Sequence, residues 1–371
     1  MKKYRLLVAA GVMMGLMTGC GSEAEVSQKE PVETTETTKQ PTQNETTKEE
    51  TTKQETTVET QAKTVQMANG EMPIPEETDS FAVLEMNVVD NFIALGHSPV
   101  AASMLKIPTE ESKISQIRFY EDGMARVFEE GQLEGFEFLP TKVNGEFEQL
   151  VGLDLDFIVA SESASKYLEQ LTAIAPTYII PSTYEGVEPE DTWKETHQLI
   201  GTLLGEETLA KQQVDTFNEV AADYKAQIKE QKGEQTALIL QLNAKGFKIR
   251  NIDSHPEIYK ELGLVLPDGI DDNYVGQDHT NESGSFPIET LIQFDPDYIF
   301  IDIQSPEVYN EIKDTPVWQG LKAVKNAQVF ENSQYVWDKA MGPVAKTTLI
   351  KDAAEFVLNK THVTTRPYIV D

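Results

Sequence analysis

The sequence predicts an α/β protein with two similarly built lobes, parallel β-sheets and one long helix that joins the lobes. The main observation is an internal sequence repeat, the repeated phrase, which reads FEQLVGLDLDFIVA at Phe147–Ala160 and IETLIQFDPDYIFI at Ile288–Ile301. Each copy predicts a short helix, an acidic turn and a core strand, because a short apolar run bounded by polar residues is typical of a buried strand. A strand–helix–strand order before the first copy indicates a parallel sheet. Helical apolar spacing over Glu206–Lys232 predicts a helix about 40 Å long between the two lobes.

The first lobe is assigned to residues 73–205 from apolar runs and the residues that end them. Strands are predicted at Phe81–Met86, Pro99–Ala102 and Thr177–Ile180, and helices at Val88–Leu95, Ser165–Thr172 and Trp193–Leu204. Gly96 and Gly205 follow two of these helices, as expected because glycine readily takes the left-handed conformation that closes a helix.

The second lobe is assigned to residues 233–371, after the connecting helix at 206–232. Strands are predicted at Thr236–Leu242, at KGFKIR (Lys245–Arg250, a turn and a short strand) and at Ala327–Glu331; helices are predicted at Ile258–Leu262, Val317–Val324 and Val344–Leu358. Tyr335–Met341 is predicted to be a loop.

Composition narrows the class of protein. The chain has 371 residues and a formal net charge of −31, which argues against a nucleic-acid partner because phosphates require a basic surface. Its five histidines show no i, i+3 or i, i+4 pairing, which disfavours a bare zinc or manganese site. No P-loop, dinucleotide fingerprint or Gly-x-Ser-x-Gly motif occurs, so we do not expect an enzyme.

The N-terminus predicts export and a lipid anchor. Residues 1–19 form a basic and then apolar signal peptide that is too short for a good membrane span, and they lead into the only cysteine, Cys20. The segment Leu16–Cys20, LMTGC, resembles the bacterial lipobox, which implies cleavage before Cys20 and lipid on its thiol. Residues 20–72, rich in Thr and Glu, predict a disordered tether because they contain too few apolar residues to form a core.

Several short motifs follow one another in a characteristic order. They are Leu95-Gly96-His97 with Pro99, Glu148 to Ile158, Ile174-Ala175-Pro176, Leu262-Gly263-Leu264, Glu289 to Ile299, Trp318 with Leu321 to Asn326 and Val329, and Trp337 with Gly342-Pro343. In this order they resemble one family, the iron-siderophore substrate-binding lipoproteins of ABC importers. The family's Pro-Asp-Leu-Ile pattern is kept at Pro296 and lost at Leu155. The resemblance covers about Phe81 to Leu358.

The resemblance implies a class III periplasmic-binding-protein fold, with two Rossmann-like lobes and a ligand cleft between them. It further implies a monomeric, lipid-anchored receptor on the outer face of the cell membrane that binds a ferric siderophore and delivers it to the permease dimer of an ABC importer. Iron would arrive held by its siderophore, so neither a protein-bound metal nor another cofactor is expected apart from the lipid on Cys20.

By the same resemblance, Glu148 and Glu289 are candidates for docking onto arginines of the permease. These acids occupy equivalent positions in the two copies of the repeated phrase. A role at the N-terminus of each short helix is the alternative, because negative charge is favourable there. Docking would set register and association rate rather than ligand affinity.

Ligand-binding candidates follow strands or lie in loops that resemble those lining the family's cleft. They are Arg250, Lys248, Trp337, Tyr184, Arg126, Arg118, Ser161 and His279. Arg250 offers a planar donor fork to carboxylate or catecholate oxygens, and Lys248, two residues earlier, would share its face of the strand. Ordinary surface charge is the alternative for Arg250 and Lys248, and a packed anchor is the alternative for Trp337.

Other functions remain open at this point. A receptor of the same fold could bind haem or cobalamin, although haem would require a Tyr or His on the iron. A surface adhesion or cell-wall protein would also fit the long Thr/Glu-rich tether.

Overall fold

Two β-sheets, each flanked by helices, form the framework of the protein. A computed structural model describes residues 63–103, 137–139, 147–250, 255–270, 285–332 and 335–359. Cys20 and most of the predicted tether, together with Arg118, Arg126 and His279, lie outside these residues. The described residues all belong to one compact unit that spans residues 60–371.

The first sheet contains five parallel strands in the order β5-β4-β3-β6-β7. The strands are β3 (Phe81–Leu84), β4 (Ala101–Ser103), β5 (Glu137–Leu139), β6 (Phe157–Ser161) and β7 (Thr177–Ile180). Phe81 and Phe157 are register partners, and their stacked rings lie 4.8 Å apart beneath Phe92 of α1 (Val89–Ala94). These phenylalanine rings pack the sheet against α1. The parallel pairing of the strands confirms the parallel sheet that was predicted for the first lobe.

A hairpin precedes this sheet. It consists of β1 (Thr64–Met67) and β2 (Gly70–Pro73), and the backbone N–H of Ala68 donates to the carbonyl of Ile179 at 2.8 Å. Val65 and Met67 are buried while the residues that alternate with them are exposed. The predicted tether, which ended at residue 72, is therefore wrong in its last residues, because two apolar side chains are enough here to pack the hairpin on the lobe.

The first lobe contains three further helices among its described residues. They are α2 (Glu148–Val151), α3 (Leu168–Thr172) and α4 (Thr192–Leu204), with 3₁₀ turns at Met86–Val88, Glu162–Tyr167 and Pro189–Asp191. The long helix α5 spans Glu207–Lys232, which agrees with the predicted connector to within a residue. Its buried stripe recurs at helical spacing: Ala210, Val214, Phe217, Ala221 and Ile228.

The second sheet has the order β11-β10-β8-β9. Its strands are β8 (Ala237–Asn243), β9 (Gly246–Ile249), β10 (Tyr298–Ile303) and β11 (Val329–Glu331). β8, β10 and β11 are parallel, whereas the edge strand β9 is antiparallel to β8. A hairpin causes this departure from the predicted all-parallel sheet. Gly246 follows the turn at φ +124°, where an added Cβ would lie 2.6 Å from the carbonyl oxygen of Phe286.

Short helices complete the second lobe: α6 (Pro306–Ile312), α7 (Pro316–Gly320), α8 (Lys322–Lys325) and α9 (Pro343–Val357), with a 3₁₀ turn at Ile288–Gln293 and π-helical turns at Glu257–Glu261 and Tyr335–Lys339. The predicted loop Tyr335–Met341 is therefore largely helical. The single helix predicted at Val317–Val324 is broken by extended backbone at Leu321, with φ −65° and ψ 142°.

The repeated phrase has the same backbone geometry in both lobes. Asp154 and Asp295, at equivalent positions, both take a positive φ, 49° and 34°. Two residues later, Asp156 accepts from the backbone N–H of Ser80 at 2.9 Å and Asp297 from that of Thr236 at 2.8 Å. Each of these carboxylates thus satisfies a donor immediately before the first strand of its own sheet. The repeated aspartates are explained by this structural role.

The two lobes meet where α1 contacts the start of α9. Asp90 is fully buried, and its carboxylate accepts from the backbone N–H of Ala345 at 3.0 Å. Asn91 donates to the carbonyl of Met341 at 3.3 Å and contacts His197 Nδ1 at 3.1 Å. Burial lowers the pKa of His197 to about 4, which keeps the ring neutral at pH 7. A buried polar network therefore joins the first lobe to the last helix.

Candidate functional site

Polar side chains collect at the carboxyl ends of the parallel strands in the first sheet. Glu85 follows β3, and Ser161 ends β6 with its hydroxyl 2.9 Å from that of Ser163. Burial raises the pKa of Glu85, although a hydrogen bond from the Ser161 side chain opposes the shift. Open α/β sheets bind ligands at this edge, because neighbouring parallel strands end there together.

Tyr184 lies beyond β7 on the same side of the first sheet. Its hydroxyl is 3.0 Å from that of Thr196 on α4, and burial raises its pKa. Ser182, which lies between β7 and Tyr184 in the chain, donates to the carboxylate of Glu162. The predicted candidates Ser161 and Tyr184 therefore share one edge with two acids, Glu85 and Glu162.

Arg250 directly follows the edge strand β9 of the second sheet, where its backbone N–H donates to the carbonyl of Ile239, in the amino-terminal half of β8, at 2.8 Å. Its guanidinium forms an ion pair with Asp338, whose side chain is only 9% exposed. The His255 ring lies 3.6 Å from the same carboxylate oxygen. Burial lowers the pKa of His255 to about 4, so at neutral pH only Arg250 supplies a formal positive charge to Asp338 within this trio.

A second acid, the half-buried Asp302 on β10, also belongs to this cluster. It accepts from Gln304 at 2.9 Å and more weakly from Gln241 at 3.4 Å. Burial, followed by the negative charge of Asp338, raises the pKa of Asp302 to about 6. The carboxyl end of β10 thus holds an acid close to the arginine.

These groups surround a small cavity. Its lining residues are Ile239, Leu240, Gln241, Arg250, His255, Asp302, Asn332, Trp337 and Asp338. Trp337 is only 2% exposed and stacks near Phe300 and Phe330, with ring centroids 5.2 and 5.7 Å apart. Its indole Nε1 and the Asn332 side-chain oxygen are buried without a hydrogen-bond partner among the described residues. Trp337 therefore combines core packing with an unpaired donor at the cavity.

Lys248 is the register partner of Gln241 across the β8–β9 pair. Directly opposed residues of antiparallel strands project to the same face, and Gln241 lines the cavity. Lys248 is half-buried, and the alternation of β9 buries Phe247 and Ile249 on its other face. Lys248 and Arg250 thus lie near one another on the cavity side of the edge strand.

Glu148 and Glu289 lie elsewhere, at the amino-terminal side of β6 and β10, and both are exposed. Neither carboxylate has an ion-pair partner within the described part of the chain. The sequence prediction missed Asp338, His255 and Asp302. Asp338 immediately follows the candidate Trp337, and Asp302 lies in the second repeat strand, but no local pattern connects either of them to Arg250.

Two features are absent from the described residues. No group of three or more His, Cys, Asp or Glu side chains within these ranges is placed to hold a metal ion. No helix there is both long and apolar enough to cross a membrane.

Comparison with known proteins agrees with this architecture. A family model for periplasmic binding proteins matches residues 139–335, and the chain belongs to this family. The Fe(3+)-citrate-binding protein YfmC of Bacillus subtilis is 26% identical over 306 residues, which cover 81% of this chain and 87% of that protein. The iron(3+)-hydroxamate-binding protein FhuD of the same organism is 25% identical over 274 residues, 72% of this chain and 80% of its own length.

Solved structures share the fold. The petrobactin-binding protein YclQ from Bacillus subtilis aligns with a TM-score of 0.60 at 16% identity, over 80% of this chain and 98% of that one. At this identity the likeness defines the arrangement of the two sheets and their connecting helix.

Proposed function

We propose that this protein is an extracytoplasmic receptor that captures a ferric siderophore between its lobes and delivers it to an ABC importer. The observation that carries the proposal is the cluster of Arg250, Asp338, Trp337 and Lys248 beside the edge strand β9 of the second sheet. Family membership and the iron chelates named for two relatives support the ligand class.

Arg250 is the central ligand contact in this proposal. A guanidinium has five N–H donors, and the ion pair with Asp338 engages only part of this fork. The remaining donors suit the carboxylate, catecholate or hydroxamate oxygens that surround the iron. Asp338 holds the guanidinium in place, and Lys248 adds a second positive charge on the same side of β9.

At the carboxyl edge of the first sheet, the described candidates are hydroxyl groups, which lie beside two acids, Glu85 and Glu162. Ser161 and Tyr184 present hydroxyls at the edge of the first sheet. Arg118, Arg126 and His279 remain candidates from the sequence for further contacts with an anionic chelate. Because the siderophore coordinates the iron, the protein needs donors and cations and supplies no metal ligand.

Delivery of the siderophore to the importer would use the side of the lobes that lies away from the ligand-binding candidates. Glu148 and Glu289 are exposed at the amino-terminal side of their strands, away from the ligand contacts, and would pair with basic residues of a permease dimer. A lipid on Cys20 would hold the monomer at the membrane, and the Thr/Glu-rich tether would let the lobes reach the importer.

A fluorescence titration tests the ligand class. The purified protein is titrated with ferric citrate, a ferric hydroxamate and a ferric catecholate, with Arg250→Ala as the matched variant. We expect at least one chelate to quench tryptophan fluorescence with a Kd below about 10 μM, near −7 kcal/mol. If no chelate binds in this range, the siderophore assignment fails. A Soret band in the purified protein would indicate haem instead.

A further inference from the structure

The two lobes also meet at five charged side chains that line no part of the candidate cavity. In the first lobe they are Glu190 and Asp191, in the 3₁₀ turn that leads into α4, and Lys194 in the first turn of α4. In the second lobe they are Lys260 and Glu261, at the end of the first π-helical turn. We call these five residues the interlobe ion cluster.

Opposite charges alternate across the boundary between the lobes. Lys260 Nζ lies 2.9 Å from the carboxylate of Asp191 and 3.2 Å from that of Glu190. Lys194 Nζ lies 2.8 Å from Asp191, within its own lobe, and 3.7 Å from Glu261 across the boundary. The hydrogen bond to Asp191 raises the pKa of Lys260 above its usual value, although burial opposes the shift. Lys260 is therefore charged at neutral pH.

The interlobe ion cluster is a shared network and not a set of isolated pairs. Asp191 accepts from both lysines, and the side chain of Lys194 is only 15% exposed. An isolated surface ion pair contributes little, whereas several charges with common partners hold one another in a fixed geometry. Apolar packing has no preferred direction, but paired charges require one register. The cluster is thus suited to fixing one lobe against the other.

The second-lobe side of the cluster leads directly to the candidate ligand site. The π-helical turn that carries Lys260 begins just after His255, and the backbone N–H of Ile258 in this turn donates to the carbonyl of His255 at 3.1 Å. The His255 ring lies 3.6 Å from the carboxylate of Asp338, which pairs with Arg250. A shift of the turn would therefore move His255 against the ion pair that orients the guanidinium.

The first-lobe side of the cluster leads to another ligand-binding candidate. Lys194 and Thr196 both lie on α4, and the Thr196 hydroxyl is 3.0 Å from that of Tyr184. The acids of the cluster lie immediately before this helix. The interlobe ion cluster thus connects the element that holds Tyr184 with the turn that follows His255.

We propose that Lys260 is a positioning residue for ligand binding, which acts through the interlobe ion cluster by holding the turn after His255 in one place against the first lobe. This inference rests on the proposed function, since it concerns the affinity of the same site. Lys260 does not contact the ligand. It keeps Arg250 with Asp338 at a constant spacing from Tyr184. A cleft that is held in this way loses less conformational freedom on binding, so it binds its ligand more tightly.

Titration of purified full-length variants with ferric citrate, a ferric hydroxamate and a ferric catecholate tests this role. Lys260→Gln removes the charge that pairs with Glu190 and Asp191, and Lys260→Arg keeps it. Lys211→Gln is the matched control, because the ion pair of Lys211 with Asp215 lies within α5. We expect Lys260→Gln to weaken binding about fivefold, and Lys260→Arg and Lys211→Gln to bind normally.

The salt dependence of binding gives a second readout of the charge pairs. Raising NaCl from about 0.05 M to about 0.5 M should weaken binding more in the wild type than in Lys260→Gln, because the variant lacks the Lys260 pairs that salt screens. Screening of the contact between Arg250 and the chelate is common to both proteins and cancels in the comparison.

Pulsed electron spin resonance measures the position of the lobes without any ligand. Spin labels are attached to Glu169→Cys on α3 and Glu311→Cys on α6, two exposed sites in different lobes. The only native cysteine is removed by Cys20→Ser. We expect a broader distribution of interlobe distances in Lys260→Gln than in the wild type or Lys260→Arg.

Three results would overturn the inference. An unchanged Kd for Lys260→Gln would show that the cluster does not set affinity. A weaker Kd with an unchanged distance distribution would show that Lys260 acts on the ligand directly, and a loss that Lys260→Arg does not restore would show that its charge is not the cause. If the wild type binds none of the chelates, the proposed function fails, whereas the distance distributions still test whether Lys260 holds the lobes.

Discussion

Replacing Asp90 with Asn should change how the stability of the protein depends on pH. Asp90 lies on α1 but caps α9, because the residue before that helix, Gly342, has no side chain to do so. The carboxyl group is fully buried, and burial raises its pKa from 3.8 to about 6, against the opposing effect of backbone N–H groups and Lys346. This acid is therefore easier to protonate in the folded protein than in the unfolded chain.

The sign and size of the effect follow from this shift. Protonation in the folded state stabilises it below pH 3.8, and that contribution is lost as the pH rises through about 6. A shift of about two units corresponds to about 3 kcal/mol in the free energy of unfolding. The stability of the wild type minus that of Asp90→Asn should thus fall by about 3 kcal/mol between pH 4 and pH 7.

Urea denaturation at a series of pH values measures this difference. Burial lowers the pKa values of His197 and His255 to about 4, so these two histidines destabilise the fold as the pH falls below 6.5. This destabilisation is the same in the wild type and in Asp90→Asn, and it cancels in their difference. Asp215→Asn, on the exposed face of α5, controls for the loss of one negative charge. Parallel pH profiles for the wild type and Asp90→Asn would refute the reasoning.

Three further predictions concern the ligand site, the importer face and the lobe junction. Arg250→Ala should weaken binding of the ferric chelate about tenfold to a hundredfold, since hydrogen bonds to charged groups contribute about 1.5–3 kcal/mol. Arg250→Lys should recover only part of the affinity because the planar fork is lost, and an unchanged Kd for Arg250→Ala would reject the contact. Glu148→Arg with Glu289→Arg should leave the Kd intact and stop uptake, so normal uptake by this variant would rule out docking through these acids. Gly342→Ala should destabilise the fold by about 1–3 kcal/mol, because its Cβ would lie 2.3 Å from Cγ of Asp90, and an unshifted urea midpoint would contradict this.

Much of the fold was predictable because its signals are local. The strand at Thr177–Ile180 has the predicted bounds, and the connecting helix begins one residue later than expected. The spacing of apolar residues is read within each helix or strand, and the glycine that closes a helix directly follows it. The short strand at Lys245–Arg250 was predicted, but its antiparallel direction and the hairpin at Thr64–Pro73 were missed, because short strands acquire their pairing from the sheet that they join.

The candidate site was only partly predictable. The sequence indicated Arg250 and Trp337, but it did not indicate that the partner of Arg250 is Asp338 or that the indole lies in the core. Arg250 and Asp338 are 88 positions apart in the chain. Such a pairing depends on how β8, β9 and the turn at Tyr335–Lys339 pack together, and no local pattern records it.

Two lobes built on one repeated unit could be predicted from the chain alone, because each copy carries its helix, turn and strand within fourteen residues. The sequence also placed an acid at the same point of each copy. The packed fold was needed to show that the other repeated acids, Asp156 and Asp297, hold neighbouring strands, and that an aliphatic side chain beside each exposed glutamate is largely exposed. Burial and long-range hydrogen bonding depend on how distant segments pack, whereas periodicity belongs to each segment separately.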